Sequence, residues 1–300
     1  MPRHRVRRSA LPVSLTAAAV LAVSAAGGAY VIGRAPDRTP AAVASVSSAS
    51  PSPEASEEPS VDLDAELEAA VEPLVGGEPG AALSVAVLDS GSGTRAVYGG
   101  ADATYATASI VKVDILAALL LRAQDEERGL TATERTRAAA MIGKSDNDSA
   151  TALLAAAGGA TGLDAANARL GLTATTSSHA WGLTSTTAAD QLTLLGAVFG
   201  TERDAALSEE SRAYIRGLMA RVEADQQWGV SAAGDAWALK NGWMPRTATG
   251  LWNVNSIGRV TADGHTYLVA VLSGGQASKE SGIELVESAA KAAVGVLSAR

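Results

Sequence analysis

The chain has 300 residues, a formal net charge of -8 and 47% hydrophobic side chains, enough apolar material for a sizeable core. That acidity argues against a nucleic-acid partner, because phosphate needs a basic stripe and the N-terminal arginines (Arg3, Arg5, Arg7, Arg8) make none. There is no cysteine, and the three histidines, His4, His179 and His265, lack metal-ligand spacing, so disulfides, thiolate sites and transition-metal chemistry are not expected and no cofactor is implied.

In chain order, the four arginines precede an uncharged, mostly apolar run over 10–32, closed by Arg34. About 20 such residues span a bilayer, so 1–33 reads as a signal peptide or membrane anchor. The small residues Ser24 to Ala29 offer a cleavage site; Tyr30-Val31-Ile32 continues the apolar run beyond them and favours an anchor. Residues 34–60 are rich in Pro, Ser, Ala and Glu without apolar periodicity, which predicts a disordered spacer. The expected location is extracytoplasmic, anchored through the N-terminal segment or secreted, and a monomer is expected.

The globular part is placed at 61–300. Leu63, Leu67, Ala70, Val71 and Leu74 have helical spacing, with acids on the other face. Ala82 to Leu88 is a β-type run, turned by Asp89-Ser90-Gly91-Ser92-Gly93 into a hairpin with Arg95 to Tyr98. Helical patterns dominate from Ser109 to about Val222. Strand character returns at Trp237–Lys240, Leu251–Val260 and Tyr267–Leu272, and Ile283 to Leu297 is a closing helix. Strands at both ends with helices between predict an α/β (α+β) domain, with one sheet built from distant pieces and a mainly helical lobe.

Three strings carry the chemistry. In Ser109-Ile110-Val111-Lys112, a serine at a helix start has a lysine one turn on and on the same face, so its amine can activate the hydroxyl. The helix dipole and a nearby Lys240 both favour the neutral amine. In Ser145-Asp146-Asn147, Ser145 would relay a proton to the leaving group, Asn147 would hold a substrate amide and Lys112, and Asp146 would brace the turn; helix capping is the plain alternative. In Lys240-Asn241-Gly242, read as a strand end, Lys240 attracts a substrate carboxylate and Gly242 lets substrate lie along the strand edge. The backbone N–H groups of Trp243 and Ser109 would then form an oxyanion hole. A lone Ser-x-x-Lys is weak evidence, but three such strings in this order and setting are not.

The chain resembles the penicillin-recognising serine hydrolases, and most of all the class A β-lactamases, over most of Ala81 to Leu297. Ala138 to Ile142, Ala152-Leu153-Leu154 with Gly158-Gly159, and Thr186-Thr187 with Leu192 and Leu195 also fit. The resemblance implies a β-lactamase/transpeptidase-like fold, an antiparallel sheet flanked by helices, and an acyl-enzyme on Ser109 from a β-lactam or a D-Ala-D-Ala cell-wall peptide. Two departures stand out. The family's deacylating glutamate loop is missing, since no glutamate falls between Glu134 and Glu202 and Gly171 to Leu183 is too short. Asn241, expected with Asn147, Gly242 and Trp243 among the substrate-binding residues, also stands where the family has Thr or Ser, so one hydroxyl contact to a substrate carboxylate is missing. A D-Ala-D-Ala carboxypeptidase, or a non-catalytic sensor that keeps the pocket, remain alternatives. His179, in the shortened loop, reads as solvated; Trp181 and Trp243 are candidate cleft walls, and Trp228, Trp237 and Trp252 read as packing residues.

Overall fold

The computed structural model describes residues 62–76, 80–100, 102–202 and 205–299. The segments read as a signal or anchor (1–33) and a spacer (34–60) lie outside the described residues. All described residues belong to one unit, 57–300. Among them no helix is long and apolar enough to cross a membrane.

Helix α1 (Leu63–Val75), capped by Asp62, leads into the hairpin β1 (Ala82–Asp89) and β2 (Arg95–Tyr98). A two-residue strand, β3 (Tyr105–Ala106), precedes a 3₁₀ turn, Ala108–Ile110, which runs into α2 (Val111–Asp125). The helical lobe continues through α3 (Ala132–Gly143), α4 (Asn147–Ala156) and α5 (Gly159–Leu170). After β4 (Ser185–Thr186), paired with β3, come α6 (Ala188–Phe199) and α7 (Glu209–Met219). The chain closes with β5 (Ala236–Pro245), β6 (Trp252–Ala262), β7 (His265–Gln276) and α8 (Lys279–Ser298).

The five long strands form one antiparallel sheet in the order β2-β1-β7-β6-β5. Helix α8 packs on β1, β6 and β7 with α1 against it, and α6 also contacts these strands. Central β7 is buried continuously from Tyr267 to Ser273, which is why its sequence reads as an apolar run rather than an alternation. Gly282 lets α8 approach β6, since a Cβ there would lie 2.4 Å from Val254 Cγ2.

Helix α2 is the axis of the lobe, in contact with α3, α4, α5 and α7. Twelve of its fifteen residues are buried, as expected of a helix that is apolar nearly all round. Two of the twelve, Lys112 and Asp114, are ionisable. The sequence pattern ends this strand at Lys240, whereas β5 runs on to Pro245, so Lys240-Asn241-Gly242 lies inside the strand and not at its end. The Asn-Gly pair signals a turn only where the chain is free to reverse; here ten residues of β6 hold it extended.

Candidate active site

Ser109 sits at the middle of the 3₁₀ turn, entered through Ala108 at φ +47°. Non-glycine residues rarely take this left-handed conformation. Ser145 adopts it too, at φ +58°. Ala108 and Ser145 are two of only four such non-glycine residues among those described, and the hydroxyls of Ser109 and Ser145 meet at one amine.

That amine is Lys112 Nζ. It lies 3.0 Å from Ser109 Oγ, 2.7 Å from the Ser145 carbonyl, 3.1 Å from Ser145 Oγ and 2.7 Å from Asn147 Oδ1. Lys112 is fully buried, and burial brings its pKa down to about 8, against a smaller upward pull from Asp146. A neutral amine has two hydrogens and one lone pair. The carbonyl and Oδ1 can only accept, so they take both hydrogens, and the lone pair is left for a hydroxyl. Ser109 can therefore donate its proton to Lys112, which is the geometry of a general base and its nucleophile.

Ser145 Oγ lies between two amines, 3.1 Å from Lys112 Nζ and 3.1 Å from Lys240 Nζ. Lys240 also donates to the Asn241 carbonyl at 2.8 Å. Burial first, then the charge of Lys112, holds its pKa well below the usual lysine range. These two bonds use two hydrogens, so when a substrate anion favours the protonated amine the third hydrogen is left for it. Asp146 caps α4 by accepting from Ser149 N at 2.7 Å, which fixes the turn carrying Ser145 and Asn147. Capping and chemistry thus coexist in this string.

Strand β5 lies against the nucleophile turn. A Cβ on Gly242 would lie 2.6 Å from Ser109 N, 2.7 Å from Thr107 O and 2.8 Å from Ile110 N, all backbone atoms, so no side chain fits. Trp243, the next residue, borders the cleft with Ser109. Asn241 departs from its expected substrate-binding place. It is fully buried, and its Nδ2 donates to the carbonyls of Gln226 (2.8 Å) and Trp228 (2.9 Å). Successive strand residues face opposite ways, so with Lys240 turned to the site, Asn241 turns to the packing behind it.

The sequence profile of the beta-lactamase enzyme family matches residues 124–297, more than half of the chain. The chain belongs to this family. The matched span holds Ser145 to Asn147 and Lys240 to Gly242; Ser109 and Lys112 lie just upstream. The fold is similar to a class A beta-lactamase from Bacteroides cellulosilyticus (TM-score 0.68, 15% identity, covering 80% of this chain and 100% of that one). It is also similar to a PBP-A mutant in an acyl-enzyme complex with penicillin G (0.67, 22%, 79% and 97%). A third likeness is a beta lactamase from Xanthomonas campestris (0.64, 21%, 79% and 99%). No curated protein matches the sequence significantly. The fold is thus that of class A-type serine hydrolases.

Within this family fold the cleft has a volume of about 610 Å³ and runs past Ser109, Asn147, Trp181, Trp243 and Arg246. Among the described residues no carboxylate lines it. Trp181 lies in the 171–183 segment, and its ring covers Lys112 Nζ at 4.7 Å from the centroid. Its indole nitrogen donates to Thr151 Oγ1 at 3.2 Å, which ties the segment to α4. Trp243 packs against Trp228 and under Lys279. The sequence offered Trp181 only as a cleft wall; its place over the base comes from the fold. His179 is exposed. A larger hollow of about 880 Å³, bordered by Leu88, Leu170 and Phe199, touches none of the residues expected in the site.

Proposed function

We propose that this protein is an exported serine hydrolase that forms an acyl-enzyme on Ser109 from a β-lactam or a D-Ala-D-Ala-like amide and releases it slowly. The observation that carries this reading is the buried amine of Lys112, 3.0 Å from Ser109 Oγ with both its hydrogens committed elsewhere.

In the first step the Ser109 Oγ–carbonyl carbon bond forms as the hydroxyl proton passes to Lys112 Nζ. The oxyanion is held by the backbone N–H groups of Ser109 and Trp243. The carbon–nitrogen bond then breaks while Ser145 passes the proton from Lys112 to the leaving nitrogen. Asn147 steadies the substrate amide, and the remaining hydrogen of Lys240 takes the carboxylate. Asn241 has no part in binding. The PBP-A mutant of this fold forms an acyl-enzyme with penicillin G, which supports the same class of substrate here.

Release needs an activated water. Among the described residues that line the cleft none is a carboxylate, which leaves the indole-covered amine of Lys112 to activate it. This favours a penicillin-binding, carboxypeptidase-like behaviour over fast β-lactam turnover. The arginine-led apolar run at 10–32 and the spacer that follows support export, with the domain held outside the membrane or released.

Time-resolved intact-mass analysis with penicillin G tests the reading. A single long-lived adduct, absent in Ser109→Ala and strongly slowed in Lys112→Ala, is expected. Product accumulating without an adduct would replace slow release by true β-lactamase turnover. Neither adduct nor product would leave a non-catalytic module.

A further inference from the structure

Trp181 closes the cleft side of the catalytic amine. Lys112 has no exposed surface, and its Nζ meets Ser109 Oγ, both oxygens of Ser145 and Asn147 Oδ1. Over the amine lies the Trp181 ring, its centroid 4.7 Å away, and Trp181 borders the cleft beside Ser109 and Asn147. A water bonded to Nζ would stand about 2.9 Å from it, and its oxygen would need about 3.5 Å more to clear the ring carbons. Stacked, ring and water need over about 6 Å. No water fits between this ring and this amine.

The ring is held by its edge. Its indole N–H donates to Thr151 Oγ1 at 3.2 Å, and the Thr151 hydroxyl donates in turn to the Asn147 carbonyl at 3.1 Å. The latch therefore ends on the turn of α4 whose Asn147 side chain binds Lys112. The main chain of Trp181 is tied on the other side to the nucleophile turn. Thr184 N donates to the Trp181 carbonyl at 3.0 Å, and the Thr184 carbonyl accepts from Thr107 N at 2.8 Å. The backbone is thus fixed, while the ring is latched by one hydrogen bond at an exposed place. Rotation about the side-chain bonds is enough to lift it.

Acylation does not need that opening, because Ser109 Oγ already touches the amine at 3.0 Å. Release does. Once Ser109 is an ester and Ser145 has passed the first proton to the leaving nitrogen, the lone pair of Lys112 has only water to take a proton from. That water bonds through its oxygen to the ester carbon and gives one proton to Nζ. Nζ returns a proton to Ser109 Oγ as the Oγ–carbon bond breaks. We propose that Trp181 excludes this water from Lys112 and so sets how long the acyl-enzyme lasts. It is a specificity-determining residue, turned against hydrolysis rather than towards binding. This inference rests on the acylation of Ser109 proposed above, and it names the residue that makes release slow.

The test uses the full chain with Trp181→Ala, with Trp181→Phe, which keeps a ring, and with Thr151→Val, which frees the indole edge. Each is acylated with penicillin G, excess reagent is removed, and adduct loss is followed by intact mass, so differences in binding do not enter. Loss should quicken at least about tenfold in Trp181→Ala, about two- to fivefold in Thr151→Val and less than about threefold in Trp181→Phe. An adduct as long-lived in Trp181→Ala as in wild type would overturn the proposal. If Trp181→Ala did not fold, unchanged release in Thr151→Val would overturn it. A second reading needs no penicillin. Acetylation by acetic anhydride, mapped by peptide mass, should be at least about fivefold faster at Lys112 in Trp181→Ala than in wild type, with the exposed Lys144 as reference. Unchanged labelling would overturn the shielding even if no adduct forms. Faster labelling without any adduct would sink the proposed function and leave the shielding in place, so the two failures are distinguishable.

Discussion

Lys112 and Asp114 lie two residues apart on one helix and are equally buried, yet the protein surrounds them differently. Lys112 has four oxygen contacts within 3.1 Å; neither oxygen of Asp114 has a hydrogen-bond partner among the described residues. Desolvation moves both towards neutrality, the amine down to about 8 and the carboxyl up to about 8. What differs is the use of the neutral form. A free amine among obligate acceptors keeps a lone pair for a hydroxyl and becomes a base. A neutral acid with no partner for either oxygen is given no such task.

The largest effect comes from removing the base. Lys112→Ala should slow adduct formation by about 10²–10⁴-fold, measured by intact mass over time. Lys112→Arg should be no better, because a guanidinium stays protonated and has no lone pair to offer. Recovery of acylation in Lys112→Arg would mean that charge, not basicity, is what the site needs.

The two residues also predict opposite pH trends in one protein. Acylation needs neutral Lys112, so its rate should rise with pH and level off above about 8. For Asp114 the folded pKa is raised, so between about pH 4 and about pH 8 the folded state holds a proton that the unfolded chain has released. Its contribution to stability is therefore complete below about pH 4 and is lost as pH rises through about 8. Lys112, with a lowered folded pKa, works the other way, but only between about 8 and its ordinary value of 10.5. Rate should thus climb while the melting temperature of wild type declines relative to Asp114→Asn. A rate flat from pH 6 to 9 would remove Lys112 from the role of base.

Much of this was legible in the sequence because it is local. A serine and a lysine one helical turn apart must share a face, and a Ser-Asp-Asn before an apolar run must open a helix; α2 and α4 follow. The strand order could not be read so directly, since β1 pairs with β7 across the whole domain. The same holds for the Trp181 ring over Lys112, which depends on how the 174–187 segment packs against α2. Asp114 itself carries a signal: an acid between Val113 and the apolar run Ile115 to Leu121, on a helix apolar nearly all round, has nowhere to go but the core.

A smaller effect is expected where backbone meets backbone. In Gly242→Ala the new Cβ would press on Ser109 N and Ile110 N, and relief by shifting β5 should cost about 1–3 kcal/mol. Acylation should fall by about tenfold or more, because the shift moves the nucleophile turn. Thermal melting and adduct kinetics on the same preparation separate the two losses. Unchanged kinetics would show that the turn and strand need not touch for the site to work.

The least effect on chemistry should come from Asn241, whose neighbour Lys240 serves the site from the opposite face of the strand. Asn241→Ala removes both donors to the Gln226 and Trp228 carbonyls, and leaving buried carbonyls unpaired costs about 1–3 kcal/mol. Its melting temperature should drop by several degrees while the acylation rate stays within about twofold. If instead the rate collapses with little change in melting, Asn241 reaches substrate after all, and β5 must rotate on binding. Either way the pair Lys240–Asn241 extends the contrast of Lys112 and Asp114: neighbouring buried polar residues are assigned to chemistry or kept out of it by which side of their element they face.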